Sequence, residues 1–156
     1  MERIQLLRKE ALSLRYAMEA SNKDSLSILS DRFPIMNCRV ASMLLAFHYF
    51  QTFCDIEITC VSGYGENLVT HVWLEVNDLV VDITGDQYNT INDIELNDGV
   101  IRRRPYPKVH VERTDQSYLP HLFKRTERLS LDRGFSGFKA HFVGQMKSTY
   151  SLLIIT

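Results

Sequence analysis

The sequence has few cysteines, and their number and spacing exclude several protein classes. Only three are present among 156 residues, at positions 38, 54 and 60. An odd number of cysteines cannot all pair within one chain, and their spacing is not typical of a metal site. Free thiols are the normal state in a reducing cytoplasm. The cysteines therefore predict a cytoplasmic protein with free thiols, no metal and no disulfide framework.

Strong net charge and long apolar runs are also lacking. The formal net charge at pH 7 is -1, which provides no overall electrostatic attraction to nucleic acid or to an anionic membrane. No apolar run reaches membrane-spanning length, and the first twenty residues are charged from position 2, unlike a signal peptide. We expect a protein that binds neither nucleic acid nor membrane, and the oligomeric state stays open.

The composition is that of one folded domain. Hydrophobic residues make up 45% of the chain, and 156 residues are enough for one core. There is no internal repeat, low-complexity segment or obvious linker. We predict a single domain over 1–156, divided into an N-terminal helical segment (1–30), a catalytic core (31–90) and a region of loop and remaining strands (91–156).

Hydrophobic periodicity predicts the main elements outside the centre of the chain. The predictions are an amphipathic helix over 2–20, strands over 55–61 and 108–113, a loop over 62–67, a last buried strand in YSLLIIT (150–156), and core positions for Phe135, Phe138 and Phe142.

A central helix is predicted to start at Cys38 and to run to about residue 51, with Asn37 as a plausible N-cap. Unpaired amides and the helix dipole stabilise an anion in a first turn, which lowers the pKa of a thiol there. The same amides, including that of Cys38, could donate to an oxyanion. The alternative is a buried Cys38 that fills space like alanine. Cys54 and Cys60 lack the helix-start position.

The stretch HVWLEVNDLVVDIT, residues 71 to 84, predicts a β-hairpin with its turn at Asn77-Asp78. That turn pairs residue 76 with 79, 74 with 81 and 72 with 83, so one face is aliphatic and should lie on the core.

The other face of the predicted hairpin is polar and carries His71 and Asp82 as diagonal neighbours. A carboxylate that accepts from one imidazole nitrogen orients the ring and leaves the other nitrogen free as a base. Trp73 should lie opposite Asp82, where its indole could shield the pair from water. The alternative is a partly exposed His-Asp pair with a structural or incidental role.

The segments NCRVAS, HVWLEV and VVDIT place Cys38, His71 and Asp82 in an order that resembles the papain-like cysteine hydrolases, in their transglutaminase-like branch. The likeness to bacterial transglutaminase-like proteins covers roughly residues 30 to 90. It implies an α+β fold in which a central helix bearing the cysteine packs on an antiparallel β-sheet. It also implies a Cys-His-Asp triad that acts on a protein or peptide substrate.

One departure from this family concerns the oxyanion hole. Papain-like proteases usually carry a glutamine a few residues before the cysteine, and none stands there in this sequence. Asn37 is a candidate donor, although an N-cap role competes for its side chain. Gln87 and Trp73 are further candidates for lining the substrate site.

The predicted function is acyl transfer through a thioester formed on Cys38, without a cofactor. Water as acceptor would make the protein a peptidase or glutamine deamidase, and an amine would make it a transglutaminase. Two alternatives stay open. One is a non-catalytic binding module of the same fold with an inert Cys38, and the other is an arylamine N-acetyltransferase-like enzyme, for which no acyl-CoA site is evident in the sequence.

Overall fold

The fold belongs to the α+β class, as predicted. The computed structural model describes residues 2–155. Its helices are α1 (Arg3–Ala20), α2 (Cys38–Thr52), α3 (Asp98–Arg102), α4 (Leu119–Leu122) and α5 (Ala140–Ile155), and its strands are β1 (Ile58–Tyr64), β2 (Thr70–Val76), β3 (Leu79–Asp82), β4 (His110–Arg113) and β5 (Arg125–Leu131). The strands form one sheet in the order β4-β3-β2-β1-β5, in which every neighbouring pair is antiparallel.

Helix α2 begins at Cys38, as the sequence predicts. The Ala41 amide donates to the Asn37 carbonyl over 2.9 Å, which closes the first helical turn. The helix packs on β2, where the Ser42 hydroxyl donates to the Val72 carbonyl over 3.4 Å. Apolar side chains of α1, α2 and α5 share one core with this face of the sheet.

The predicted register of the hairpin is confirmed for two of its three pairs, and β3 ends before the third, residue 72 with 83. Val76 pairs with Leu79 and Leu74 pairs with Val81. The aliphatic face is buried against α2, and its members are Val72, Leu74, Val76, Leu79, Val81 and Ile83.

The expectation of a polar, partly exposed second face is wrong. A second apolar cluster covers it, which includes Trp73, Val80, Tyr88, Tyr106 and Phe123. Three of these side chains come from residues 88 to 123, a segment that folds back over the sheet. Alternation along a strand shows which residues share a face, but it carries no information on what later packs against that face.

Strand β1 starts three residues later than predicted and continues to Tyr64, through positions expected to be loop. Gly63 lies in this extension and pairs with His71. A Cβ atom at Gly63 would lie 2.6 Å from the Trp73 ring and 2.6 Å from Phe123 Cβ. This glycine therefore lets the second cluster approach the strand, and it does not mark a turn.

The predicted C-terminal strand over 150–156 is wrong, because residues 150–155 lie in helix α5, and residue 156 is outside the described residues. The buried residues Met146, Tyr150 and Leu153 recur at intervals of four and three, which is the helical period. A short apolar run has no internal signal that separates a buried strand from a buried helix. Among the helices of residues 2–155, none is both long and apolar enough to cross a membrane.

The described part of the region 91–156, predicted as loop and strands, contains the helices α3, α4 and α5 as well as strands β4 and β5. The prediction of core aromatics in this region is confirmed for Phe135, which is buried. Phe138 and Phe142 are partly buried and pack against the same core.

A buried arginine joins helix α1 to the segment that follows β3. The Arg15 guanidinium forms two bonds of 2.7 Å to the Asp86 carboxylate and also donates to the Ile83 carbonyl. The Arg15 side chain is only 2% exposed. A buried guanidinium is stable only when a counter-charge and hydrogen-bond acceptors surround it. Because Asp86 and Ile83 provide them here, these contacts hold the end of the hairpin against α1.

We expect Arg15→Ala to destabilise the protein by about 3 kcal/mol, because the Asp86 carboxylate and the Ile83 carbonyl lose their donor. Urea unfolding followed by circular dichroism measures the change. Lys9→Ala is the matched control on the exposed side of the same helix, where a change within about 0.5 kcal/mol is expected. A loss for Arg15→Ala no larger than that of the control would contradict the assignment.

Candidate active site

His71 and Asp82 form a fully buried pair, and each is 1% exposed. The His71 Nε2 atom lies 2.8 Å from Asp82 Oδ2. The second carboxylate oxygen, Oδ1, accepts from the Thr84 amide over 3.1 Å. Burial alone would raise the pKa of Asp82, but the charge and hydrogen bond of His71 and the Thr84 amide outweigh it and lower that pKa. Asp82 is therefore a carboxylate that orients the imidazole.

The imidazole of His71 holds a proton more tightly than an isolated histidine. Burial disfavours its charged form, but the adjacent Asp82 carboxylate, with a smaller contribution from Cys38, raises the pKa of His71 to about 10. Because Nε2 faces Asp82, Nδ1 is the nitrogen left to face the thiol.

Cys38 lies at the start of α2 and is partly buried. Burial acts to raise the pKa of the Cys38 thiol, but the hydrogen-bonding and charge effects of the nearby His71 and the hydrogen-bonding effect of the Val72 backbone prevail and lower it. The lowered pKa of Cys38 and the raised pKa of His71 both favour transfer of the proton from sulfur to nitrogen. The arrangement favours a thiolate-imidazolium pair, which is the reactive form of a cysteine nucleophile.

Three aromatic rings surround the imidazole. The centroids of Trp73, Tyr88 and Phe123 lie 6.1, 5.1 and 5.7 Å from that of His71. Trp73 is buried, so it acts as a wall that excludes water and does not line an open groove. Exclusion of water strengthens the electrostatic interaction between His71 and Asp82.

The turn after β3 contributes two residues to the site that sequence reasoning missed. Thr84 donates its amide to Asp82, and a Cβ atom at Gly85 would lie 2.8 Å from Asp82 Oδ2. Aspartate side chains often accept a hydrogen bond from the backbone amide two residues later, so the sequence could have indicated the bond between Asp82 and Thr84. Tyr88 and Phe123 have no comparable signal, because their contacts with His71 depend on how distant segments pack.

Gln87, predicted as a residue of the substrate site, lies beside the imidazole. Its Nε2 atom is 3.4 Å from His71 Nδ1, and its Oε1 atom accepts from the Met36 amide over 3.4 Å. The side chain is buried. Gln87 thus links the loop before Cys38 to the histidine.

The side chain of Asn37 is engaged away from the helix start. Its Oδ1 atom accepts from the Ser30 amide over 3.0 Å, and its Nδ2 atom donates to the Ser30 hydroxyl and the Ile35 carbonyl over 2.8 and 2.7 Å. The predicted side-chain N-cap is therefore wrong, and both amide hydrogens already have acceptors. The geometry gives no support to Asn37 as an oxyanion donor.

The backbone offers an alternative source of donors. The first intrahelical bond of α2 is made by the Ala41 amide, so the amides of Cys38, Arg39 and Val40 precede the helical ladder. A helix start of this kind stabilises negative charge.

The other two cysteines differ from Cys38 in their surroundings. Cys54 is exposed and Cys60 is buried, and burial raises the pKa of the Cys60 thiol to about 11. Over the described part of the chain, no three His, Cys, Asp or Glu side chains are grouped so that they could hold a metal ion.

No protein-family model, curated protein or solved structure matches this chain. The likeness to the transglutaminase-like branch therefore stays a prediction, and the chemistry of the site has to be inferred from its own geometry.

We expect iodoacetamide to label Cys38 rapidly at about pH 7, below the pH at which an ordinary thiol ionises, because the pKa of Cys38 is lowered. Peptide mapping by mass spectrometry gives separate rates for the three thiols. Cys60 is the internal control and should react slowly, since its pKa is raised to about 11. If Cys38 reacts no faster than Cys54 and Cys60, or if His71→Ala leaves its rate unchanged, the thiolate-imidazolium pair is disproved.

A pH titration of stability tests the His71-Asp82 pair, and it is cleanest in Cys38→Ala, where His71 has no thiol partner with which to exchange a proton. Folding raises the pKa of His71. The protonated pair therefore contributes its full share to the free energy of unfolding below the unfolded-state pKa of about 6.5. That contribution is lost as the pH rises toward the folded-state pKa. We expect the free energy of unfolding of Cys38→Ala to fall by about 1 kcal/mol or more between about pH 6 and about pH 9.

The matched control for this titration is the double variant Cys38→Ala/Asp82→Asn. Without the carboxylate, burial disfavours the charged form of His71, so the fall in stability with rising pH should disappear. Equal slopes in the two variants would show that Asp82 does not hold the imidazolium.

Proposed function

We propose that the protein is a cysteine-dependent acyl-transfer enzyme that acts on amide bonds of a protein or peptide substrate. The observation that carries the proposal is the contact of a partly exposed helix-start thiol with a buried imidazole, which is itself oriented by a buried carboxylate. The roles assigned are nucleophile for Cys38, acid and base for His71, and orienting group for Asp82.

In the first step the Cys38 thiolate attacks the carbonyl carbon of the amide, and an S–C bond forms while the C–O double bond becomes a C–O single bond. The tetrahedral intermediate collapses as the C–N bond breaks and the His71 imidazolium gives its proton to the leaving nitrogen. The products are a thioester on Cys38, a free amine or ammonia, and a neutral His71.

Deacylation reverses the role of His71. The neutral imidazole takes a proton from the incoming acceptor, which attacks the thioester and releases Cys38 as thiolate. Water as acceptor corresponds to peptidase or glutamine deamidase activity, and a primary amine corresponds to transglutaminase activity. Asp82 keeps the ring in place throughout both steps.

The negative charge on the tetrahedral oxygen needs hydrogen-bond donors. We assign this role to the Cys38 amide at the start of α2, because it precedes the first intrahelical bond. The Gln87 side-chain amide, 3.4 Å from His71 Nδ1, is the second donor in this proposal.

The fold assignment within the proposal is papain-like, in the transglutaminase-like branch. It is supported by the helix-borne cysteine that packs on an antiparallel sheet, with the histidine and aspartate on adjacent strands.

Three readouts on one protein substrate, carboxymethylated casein, test the activity and its acceptor. New amino termini report hydrolysis, released ammonia reports deamidation, and incorporation of a fluorescent primary amine reports transfer. We expect at least one signal, and a loss of about a thousandfold or more in Cys38→Ala. Asp82→Asn should lower the rate by about a hundredfold, because the imidazole loses its orientation.

Cys60→Ala is the matched control, since it removes a thiol that lies outside the triad, and it should retain full activity. Circular dichroism must show that each variant is folded. If iodoacetamide reacts selectively with Cys38 but all three readouts are absent, casein-type amide substrates are excluded. If labelling is also unselective, the non-catalytic binding module is the better interpretation.

A second candidate function is acyl transfer from a phosphate-bearing thioester such as an acyl-CoA, and one observation favours it. A cavity of about 450 Å³ is lined by the basic side chains Arg102, His121, Lys124 and Arg125, together with Glu66 and Asp98. Incubation with radiolabelled acetyl-CoA distinguishes the two functions. A stable acetyl group on Cys38, absent in Cys38→Ala, would favour this second candidate over amide substrates.

A further inference from the structure

We propose that Tyr118 is a positioning residue of the candidate site, whose hydroxyl donates to the Asp82 carboxylate through one buried water molecule. This inference rests on the proposed function, because it assigns a third donor to the carboxylate that orients the imidazole. Tyr118 lies immediately before α4, at the end of the segment that folds back over the sheet.

Three buried side-chain atoms in the described part of the chain lack a hydrogen-bond partner, and they belong to residues around the His71-Asp82 pair. They are Trp73 Nε1, Thr84 Oγ1 and Tyr118 Oη. The ring of Trp73 neighbours that of His71, and Thr84 donates its amide to Asp82. A buried hydroxyl without a partner destabilises a fold, so native structures normally provide one, and ordered water is a common choice.

The hydroxyl of Tyr118 and the carboxylate of Asp82 border the same space beside Gly85. A Cβ atom at this glycine would lie 2.8 Å from Asp82 Oδ2 and 3.5 Å from Tyr118 Oη. The two oxygens do not hydrogen-bond to each other directly. One water molecule bridges two oxygens that are about 5.5 Å apart. Because Gly85 has no side chain, a water molecule can approach both oxygens from this side.

The ring of Tyr118 is held in place by three neighbouring side chains. Its centroid lies 4.5 Å from that of His110 and 5.4 Å from that of Tyr106. The guanidinium of Arg103 lies over the ring, 4.7 Å from its centroid. His110 in turn pairs with Asp82 across β3 and β4. These contacts restrict the ring, so the hydroxyl keeps its position near the carboxylate.

The phenol of Tyr118 remains a donor at neutral pH. Burial, with the nearby charge of Asp82, raises the pKa of Tyr118 above its ordinary value, so the hydroxyl keeps its proton. The acceptor also has capacity, since a carboxylate oxygen has two lone pairs. Asp82 Oδ2 can therefore accept from a water molecule in addition to His71 Nε2.

A third donor on Asp82 changes how readily His71 releases its proton. The protein groups around His71 raise its pKa to about 10, whereas proton transfer is most efficient when the pKa of the catalytic group lies near the working pH. A donor on the carboxylate withdraws charge from it and weakens its hold on the imidazolium. Tyr118 thereby favours transfer of the His71 proton to the leaving nitrogen without contact with the substrate.

Tyr118→Phe tests this role, because it removes the hydroxyl and keeps the ring. Tyr106→Phe is the matched control, since its hydroxyl lies in the same aromatic cluster but donates to the Val100 carbonyl over 2.6 Å. The first readout is the proton NMR resonance of His71 Nε2–H at about pH 6, where the imidazolium is formed. It is measured in the Cys38→Ala background. A proton in a stronger hydrogen bond resonates further downfield.

We expect Tyr118→Phe to move this resonance downfield, because an Asp82 carboxylate with one donor fewer binds the imidazolium more tightly. Tyr106→Phe should leave the resonance unchanged. With Cys38 intact, Tyr118→Phe should lower kcat on carboxymethylated casein by about fivefold, since the imidazolium is then a weaker acid. Alkylation of Cys38 by iodoacetamide requires no proton from His71, so its rate should stay the same.

The double variant Asp82→Asn/Tyr118→Phe shows whether Tyr118 acts through Asp82. Its kcat should equal that of Asp82→Asn alone, because the acceptor of the proposed bridge is already changed. A further fivefold loss in the double variant would show that Tyr118 acts by another route, and the proposal would be overturned.

The remaining outcomes separate the proposal from its premise. An unchanged resonance in Tyr118→Phe overturns the proposal, as does a resonance that moves upfield together with slower alkylation of Cys38, which indicates a structural role. If the resonance moves downfield but the wild-type protein shows no turnover, the contact with Asp82 stands and the proposed function fails. A high-resolution crystal structure of the wild-type protein is an independent check. It should show a water molecule between Tyr118 Oη and Asp82 Oδ2, and a hydroxyl bonded elsewhere overturns the proposal.

Discussion

The antiparallel register between β2 and β3 is the constraint on which both the core and the candidate site depend. Side chains alternate along a strand, so the same register that puts Leu74 and Val81 on the core puts His71 and Asp82 together on the opposite face. A slip of one residue would move the charged pair into the helix-facing core and the aliphatic residues out of it. The energy that selects the fold therefore also selects the geometry of the pair.

Burial of His71 and Asp82 costs solvation free energy, and the stability of the fold does not depend on having a charged pair at this position. A buried ion pair loses the solvation of two charges, and a pair of apolar side chains of similar size is often equally stable. Here the pair is enclosed by Trp73, Tyr88 and Phe123 and completed by the Thr84 amide. Burial alone would lower the pKa of His71, but the Asp82 carboxylate outweighs it and raises that pKa, and His71 in turn lowers the pKa of Cys38 against the effect of burial. Opposed shifts follow from any close contact between an acid and a base, and strongly perturbed pairs of this kind cluster at functional sites.

Helix α1 supports the site from a distance. Arg15 is bonded to Ile83 and Asp86, which lie between Asp82 and Gln87 in the chain. The carboxylate that orients the imidazole and the amide that lies beside it are thus attached to the same anchored turn. Because the loop before α2 is also bonded to Gln87 through Met36, movement of the N-terminal helix would disturb the nucleophile and its partner together.

The sequence by itself determined the start of α2 at Cys38, the hairpin register and the adjacency of His71 and Asp82, because these follow from signals within a few residues. Only the tertiary structure decided that the pair is fully buried, that Asn37 turns toward Ser30, and that the last segment is helical. These outcomes depend on segments far apart in the chain, such as Phe123 over His71. Local periodicity encodes which way a side chain points, whereas the environment it meets there is set by long-range packing.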